Sequence, residues 1–183
     1  MMDTQWPQFI VFDQPGEGKT AFYAGAVHAF DPEMALLNAR DVFGRREDHV
    51  RLWVVRETEI YAKTIEELSL EIPASPQNSP ATTYHVFQKT VHKGTLVHIG
   101  EILAANPENA LAQALETFSN PNAIVWWVLP ERAVHRSDPA ENESLFGPAQ
   151  NKLFRHSSFY PTVTLMREVS LAKEKLEWDD EEG

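Results

Sequence analysis

Asp31-Pro32-Glu33-Met34-Ala35-Leu36-Leu37-Asn38-Ala39-Arg40-Asp41-Val42-Phe43 is answered later in the same chain by Asn106-Pro107-Glu108-Asn109-Ala110-Leu111-Ala112-Gln113-Ala114-Leu115-Glu116-Thr117-Phe118. The two stretches lie 75 positions apart, and Pro-Glu, Ala-Leu, Ala and Phe coincide. Each opens with a residue whose side-chain oxygen can accept from free N–H groups, followed by a proline that fits the first helical turn. Each continues with apolar residues at the 3.6-residue period: Ala35, Leu36, Ala39, Val42 and Phe43, then Ala110, Leu111, Ala114, Leu115 and Phe118. Small alanines on that face predict a helix lying close against a sheet. Gly44 reads as a helix stop.

Upstream of these helices, Val11-Phe12 and Gly25 recur as Val86-Phe87 and Gly100, again 75 positions on. Phe9-Ile10-Val11-Phe12 is a short run of strand formers, and Asp13-Gln14-Pro15-Gly16-Glu17-Gly18 is a turn signal. Phe22 to Phe30 then reads as the returning strand, with Tyr23, Gly25 and Val27 on one face and His98, Gly100 and Ile102 as their counterparts. A glycine kept inside a strand in both copies predicts a bulge or a close backbone approach where the helix crosses. Downstream, the spacing tightens to 73, aligning Trp53-Val54-Val55 with Trp126-Trp127-Val128, as a two-residue deletion near Arg45 to Arg51 would produce. Thr64 to Leu70 reads as a short helical turn.

The expectation is an α+β protein built of two tandem strand–strand–helix–strand repeats packed as a pseudo-twofold, pseudo-dimeric pair. A three-stranded unit with one helix has an exposed edge and little core, and pairing two units remedies both. The expected organisation is a first repeat over residues 5–72, a Pro/Ser-rich linker over 73–81, a second repeat over 82–169 and an acidic tail over 170–183. The tail carries six acids and two lysines and reads as solvated and disordered.

Composition excludes several functional classes. The net charge of −11 argues against phosphate-backbone recognition, so no nucleic-acid partner is expected. With no cysteine, this chain cannot supply disulfides, a thiolate nucleophile or cysteine ligands for zinc or iron–sulfur clusters. No stretch approaches the ~20 apolar residues of a membrane span, and Met1 to Gln5 lacks the pattern of a signal peptide. A cytoplasmic location with no membrane partner is the expectation.

Gly16-Glu17-Gly18-Lys19-Thr20 ends like a phosphate-binding loop, but Asp13 stands where the first glycine belongs and a strand follows, so a hairpin turn is expected. None of the seven histidines falls into a His-x-x-x-His or Glu-x-x-His helix spacing, and His92 and His98 are too far apart for an alternating strand pair. No metal site is expected. His28 reads as a packing or partner-facing histidine, and no Gly-x-Ser-x-Gly elbow occurs. No catalytic residue is assigned.

Two polar groups stand out. Asn38, Arg40, Asp41, Arg45 and Arg46 lie on and after the first helix, and the second copy does not repeat them. They read as either a solvated face or an asymmetric docking surface, for which arginine is well suited. Lys152-Leu153-Phe154-Arg155-His156-Ser157-Ser158-Phe159-Tyr160 mixes basic and aromatic residues, as suits either a closing edge strand or a segment lying across a partner.

Trp6-Pro7, Val11-Phe12, Gly25, Val27-His28-Ala29, Glu33-Met34-Ala35-Leu36, Asn38-Ala39-Arg40-Asp41, Arg45-Arg46 and Trp53-Val54-Val55 together resemble the PaaB family. This family is the small B component of the bacterial phenylacetyl-CoA epoxidase complex. Its closing Lys-x-Tyr-Arg-His-Pro-x-Phe-Tyr motif resembles Lys152, Arg155-His156 and Phe159-Tyr160, with Phe154 for the tyrosine and Ser157 for the proline. Members of the family typically carry one copy of the unit. Here the first copy holds the amino-terminal signature and the second holds the closing motif.

The resemblance implies a non-catalytic, bridging subunit of a di-iron oxygenase complex. Its partners would be ferritin-like catalytic and supporting subunits, with the flavin- and iron–sulfur-containing reductase as a further candidate. Di-iron, FAD and iron–sulfur groups would belong to those partners, and no cofactor to this chain. Arg45, Arg46, Lys152, Arg155, His156, Phe159 and Tyr160 are the expected partner contacts. The chain would act as either a pseudo-dimeric monomer or a homodimer. The alternative is a cofactor-free small enzyme or ligand binder of the dimeric α+β barrel type, with Trp53, Trp126, Trp127 and His28 lining a pocket. A structural protein of some other assembly is a third reading.

Overall fold

The computed structural model describes residues 6–16, 18–44, 51–68, 80–138, 140 and 166–169. The chain divides into two compact units, Met1–Ala149 and Gln150–Gly183. In the second, residues 166–169 form one exposed helical turn. Both strand–strand–helix–strand segments lie in the first unit, whose architecture is mixed α and β with one antiparallel sheet.

The chain order of that unit is β1 (Gln8–Gln14), β2 (Phe22–His28), α1 (Pro32–Phe43), β3 (Arg51–Arg56), β4 (Tyr61–Thr64), α2 (Ile65–Leu68), β5 (Thr82–Lys89), β6 (Val97–Ala104), α3 (Pro107–Thr117), β7 (Val125–Pro130) and β8 (His135–Arg136). Three-residue 3-10 turns, Glu57–Glu59 and Glu131–Ala133, precede β4 and β8. The eight strands lie in the order β4-β7-β5-β6-β2-β1-β3-β8.

Both long helices start as their sequences dictate. Asp31 accepts a hydrogen bond from the Met34 N–H at 2.7 Å, and Asn106 accepts from the Asn109 N–H at 2.8 Å, with proline in the first turn each time. Gly44 caps the end of α1, its N–H donating to the Arg40 carbonyl at 2.9 Å. Ala35 and Ala39 of α1 and Ala110, Leu111 and Ala114 of α3 are buried. Val42 departs from the expected face and is 57% exposed, because the last turn of α1 reaches the sheet through Phe43.

The two repeated glycines do both things expected of them. Each hairpin has an irregularity at the equivalent place, between Val11 and Phe12 against β2 and between Val86 and Phe87 against β6. A Cβ built on Gly25 would lie 2.5 Å from Phe43 Cζ, and one on Gly100 would lie 2.5 Å from Phe118 Cζ. In each half the phenylalanine at the end of the helix, the last residue of α1 and the cap of α3, occupies the space a side chain would need.

The bulges overturn one expectation about strand faces. The register passes from Val11↔Gly25 to Phe12↔Tyr23, leaving Ala24 as an extra residue, and from Val86↔Gly100 to Phe87↔His98, leaving Ile99. Residues on either side of such an insertion exchange faces. Tyr23 and Val27 thus point to opposite sides of the sheet, and so do His98 and Ile102.

The alignment of the third strands also changes. Val54 pairs with Val11, and Val128 pairs with Val86, so these two valines, 74 apart, are the equivalents. Trp53 corresponds to Trp127 rather than to Trp126, and the shorter connection lacks one residue rather than two. The tryptophans suggest a spacing of 73, but such a one-residue slip would send every side chain to the wrong face.

Three cores result. Phe9, Val11, Val27, Ala29, Leu52 and Val54 pack with α1, while Tyr84, Val86, Ile102, Trp126 and Val128 pack with α3. On the other face Ile10, Phe12, Trp53, Val55, Phe87 and Leu129 from both halves form a single cluster. The Phe12 and Phe87 rings stack at 4.2 Å between centroids, and both residues are fully buried.

β4 and β8 go beyond the expected elements. They are four and two residues long, too short to show an alternating pattern. β4 pairs with β7, and β8 with β3, so each fourth strand joins strands of the other repeat. A capping box begins α2: Glu67 accepts from the Thr64 N–H at 2.8 Å, and the Thr64 hydroxyl accepts from the Glu67 N–H at 3.3 Å. β1 and β2 pair as an antiparallel hairpin, and beyond β1 the Lys19 N–H donates to the Gly16 carbonyl at 3.1 Å.

Candidate functional site: a polar cluster on the shared face

The hydrophobic cluster on the face shared by the two halves is bordered at one end by a group of polar side chains. There β5 contributes His85, β6 contributes His98 and Glu101, the 3-10 turn after β7 contributes Glu131, and β8 contributes Arg136. Glu101 is the register partner of His85. His98 and Glu101, three residues apart, would face opposite ways on a regular strand, and the extra residue Ile99 brings both to the side of His85.

His85 is only 2% exposed and has polar neighbours at both ring nitrogens. Its Nδ1 lies 3.1 Å from His98 Nε2 and 3.4 Å from Glu101 Oε1. Its Nε2 contacts Glu131 Oε2 and lies 3.0 Å from Arg136 Nη2. Arg136 grips both oxygens of Glu131, each at 2.7 Å, in the bidentate geometry that makes such pairs strong. The same guanidinium lies 4.5 Å from the centre of the Trp53 ring, which touches both histidines edge-on at 5.3 and 5.6 Å.

The electrostatics follow from this packing. Burial first, and the neighbouring His85 second, push His98 down to about 4, so it is neutral at pH 7. The Arg136 hydrogen bond is the main influence on Glu131 and pulls it to about 2, with His85 adding to the effect. Glu131 is therefore a fixed carboxylate. The backbone at Gly100 acts the other way, raising His98 without reversing the shift. The Glu131 carboxylate can only accept, so His85 Nε2 is the donor in the contact between them.

The equivalent end of the first half lacks the two histidines, the second carboxylate and the arginine. Ile10 stands for His85 and Ala26 for Glu101, as their mutual pairing shows. Tyr23 stands for His98, and Ala62, paired to Trp127, stands for Arg136, paired to Trp53. Only Glu131 has a like counterpart, Glu57.

Ligand spacings within single elements do not reveal this cluster. His85 and His98 are 13 positions apart and meet only across a hairpin with a bulge. The signal available in the sequence is the exchange of Ile10 and Tyr23 for two histidines at matched positions.

The residues expected to contact partners, Arg45, Arg46, Lys152, Arg155, His156, Phe159 and Tyr160, lie outside the described residues. So do most of the linker and the acidic tail. Of the rest of that surface, Arg40 pairs with Asp41 at 2.9 Å and Asn38 donates to the His28 carbonyl at 3.0 Å. His28 is exposed, and its Nδ1 donates to the Trp6 carbonyl at 2.9 Å.

The four residues of the alternative pocket are not brought together. Trp53 and Trp127 share one face, Trp126 is buried under α3 on the other, and His28 ends β2 at the surface. Tyr23, Leu96, Lys93 and Trp127 line an open hollow of about 430 Å³ instead. No helix among the described residues is long and apolar enough to cross a membrane.

Comparison with known proteins supplies the context. The family model for phenylacetic acid degradation B (PaaB) matches twice, over residues 5–76 and 81–167. The chain is similar to the B component of the 1,2-phenylacetyl-CoA epoxidase of Escherichia coli (strain K12), 40% identical over 67 residues. That stretch is 37% of this chain and 70% of the relative. No solved structure matches the chain significantly.

Proposed function

Because this chain belongs to the PaaB family, we propose that it is a two-copy, non-catalytic bridging subunit of a di-iron oxygenase that acts on phenylacetyl-CoA in phenylacetate degradation. The observation that carries this reading is the reciprocal joining of the two repeats. Tyr23 N–H donates to the Leu96 carbonyl and His98 N–H to the Ala21 carbonyl, both at 2.8 Å, around the Phe22↔Val97 pair. Tyr23 corresponds to His98, and Ala21 to Leu96, so the two bonds are equivalents of each other. Such self-complementary contact is the mark of a twofold interface. The crossing of β4 and β8 into the opposite repeat, and the strand order that reads alike from either edge, support the same pseudo-twofold arrangement.

A single-copy relative would assemble this two-unit particle by dimerising. Here the linker between residues 73 and 81 makes the encounter intramolecular, at an effective concentration of roughly millimolar. The pairing is then independent of protein concentration and always joins two unlike copies. The first copy offers Asn38, Arg40, Asp41, Arg45 and Arg46. The second carries the segment with Lys152, Arg155, His156, Phe159 and Tyr160. The bridge is therefore asymmetric, with ferritin-like catalytic and supporting subunits as its partners, the reductase as a further candidate, and the di-iron, FAD and iron–sulfur groups residing in them.

Size-exclusion chromatography with light scattering tests this on the purified chain mixed with the ferritin-like subunits. A joint peak is expected, and one that weakens when Arg155, His156, Phe159 and Tyr160 are replaced by alanine. Separate elution of the unaltered chain and the ferritin-like subunits at micromolar concentration would contradict it.

A further inference from the structure

The polar cluster has the form of a metal centre that the bridging role does not require. We propose that His85 Nδ1, His98 Nε2 and Glu101 Oε1 bind a divalent transition-metal ion of the zinc type, in the second repeat alone.

The ligand atoms have the right spacing. They lie within 4.8 Å of one another, with His85 Nδ1 at 3.1 Å from His98 Nε2 and 3.4 Å from Glu101 Oε1. An ion bound at ~2.0–2.1 Å from each of two tetrahedral ligands holds them ~3.3 Å apart. The two separations at His85 Nδ1 bracket that figure. Two imidazoles and one carboxylate form a donor set suited to zinc and its neighbours.

The surroundings are those that orient ligands. His85 Nε2 meets Glu131, which Arg136 holds by two hydrogen bonds, so a carboxylate–histidine–metal arrangement is already built. His98 packs against the Phe87 ring, 5.1 Å away between centroids. His85 is buried while the Glu101 side chain is 55% accessible, so solvent reaches the cluster on the Glu101 side and would supply the fourth ligand. The edge of Trp53 closes the other side.

The position within the repeat is a second line of support. Ile10, Tyr23 and Ala26 occupy the corresponding places in the first half on an equivalent backbone with the same bulge. The fold therefore does not need polar groups there. Three donors converging at one end of the shared hydrophobic cluster are specific to one copy.

The test uses the full chain, stripped with a chelator and titrated with Co²⁺ alone, whose tetrahedral complexes absorb visible light. Binding of one Co²⁺ per chain is expected, with displacement by Zn²⁺. His98→Gln and Glu101→Gln should each weaken binding by about tenfold or more, and Glu131→Gln by about 10–100-fold, the usual effect of losing the partner that orients a ligand. His92→Gln, in an exposed turn, should leave binding unchanged. Circular dichroism checks that each variant folds, and Glu101→Gln, altering a half-exposed side chain, provides the comparison if His98→Gln does not. Absence of stoichiometric Co²⁺ binding, or equal affinity in Glu101→Gln and the unaltered chain, would overturn the proposal and leave the two histidines as a hydrogen-bonded prop.

Discussion

The first half of the shared face ends in Ile10, Tyr23 and Ala26, and the second half ends in His85, His98 and Glu101. The backbone beneath them is the same, with equivalent bulges and equivalent glycines under a helix-terminal phenylalanine. Where the two halves agree, the residues make the fold; where they differ, on a common backbone, the residues are free to do something else. The contrast separates folding from specialisation without reference to any other protein.

The strongest effects should come from residues that both halves share. Phe12→Ala and Phe87→Ala each remove one ring of a fully buried stack. Each should cost ~3–5 kcal/mol in urea denaturation, with both halves lost in one transition. Two separate transitions would show the halves to be independent. Next come Gly25→Ala and Gly100→Ala, which force a Cβ against Phe43 and Phe118. Overpacking of this kind costs ~1–3 kcal/mol, and the two losses should be alike. Phe118→Leu should recover part of the Gly100→Ala loss, because it withdraws the atom in the way.

A milder outcome is expected where the halves differ. Replacing His85, His98, Glu101 and Arg136 by the isoleucine, tyrosine, alanine and alanine of the first half should abolish Co²⁺ binding. Stability should change by no more than ~1–2 kcal/mol in either direction, since apolar replacement of a buried ionic network is often neutral or favourable. A chain that fails to fold would make the cluster structural. The smallest effect belongs to the helix caps: Asp31→Ala and Asn106→Ala should each lose ~1 kcal/mol, equally in the two halves, by thermal melting.

Much of this fold is legible in the residues themselves. Asp31-Pro32 and Asn106-Pro107 announce both helices, and the alanine stripes identify the faces that meet the sheet. Gly25 and Gly100 announce that something irregular happens, but not that Ala24 and Ile99 are the extra residues. That missing detail reverses the faces of half a strand, and with them the position of His98. β4 and β8 carry no periodic signal at four and two residues, and their pairing is decided by tertiary packing across the repeats. The polar cluster needs both hidden facts at once, the bulge that turns His98 and the short strand that delivers Arg136.

Native mass spectrometry of the chain mixed with the ferritin-like oxygenase subunits proposed as its partners tests the central claim most directly. The account predicts complexes in which one copy of this chain stands where two copies of a single-repeat subunit would stand. A complex containing two copies at each bridge, or no complex at all, would contradict it.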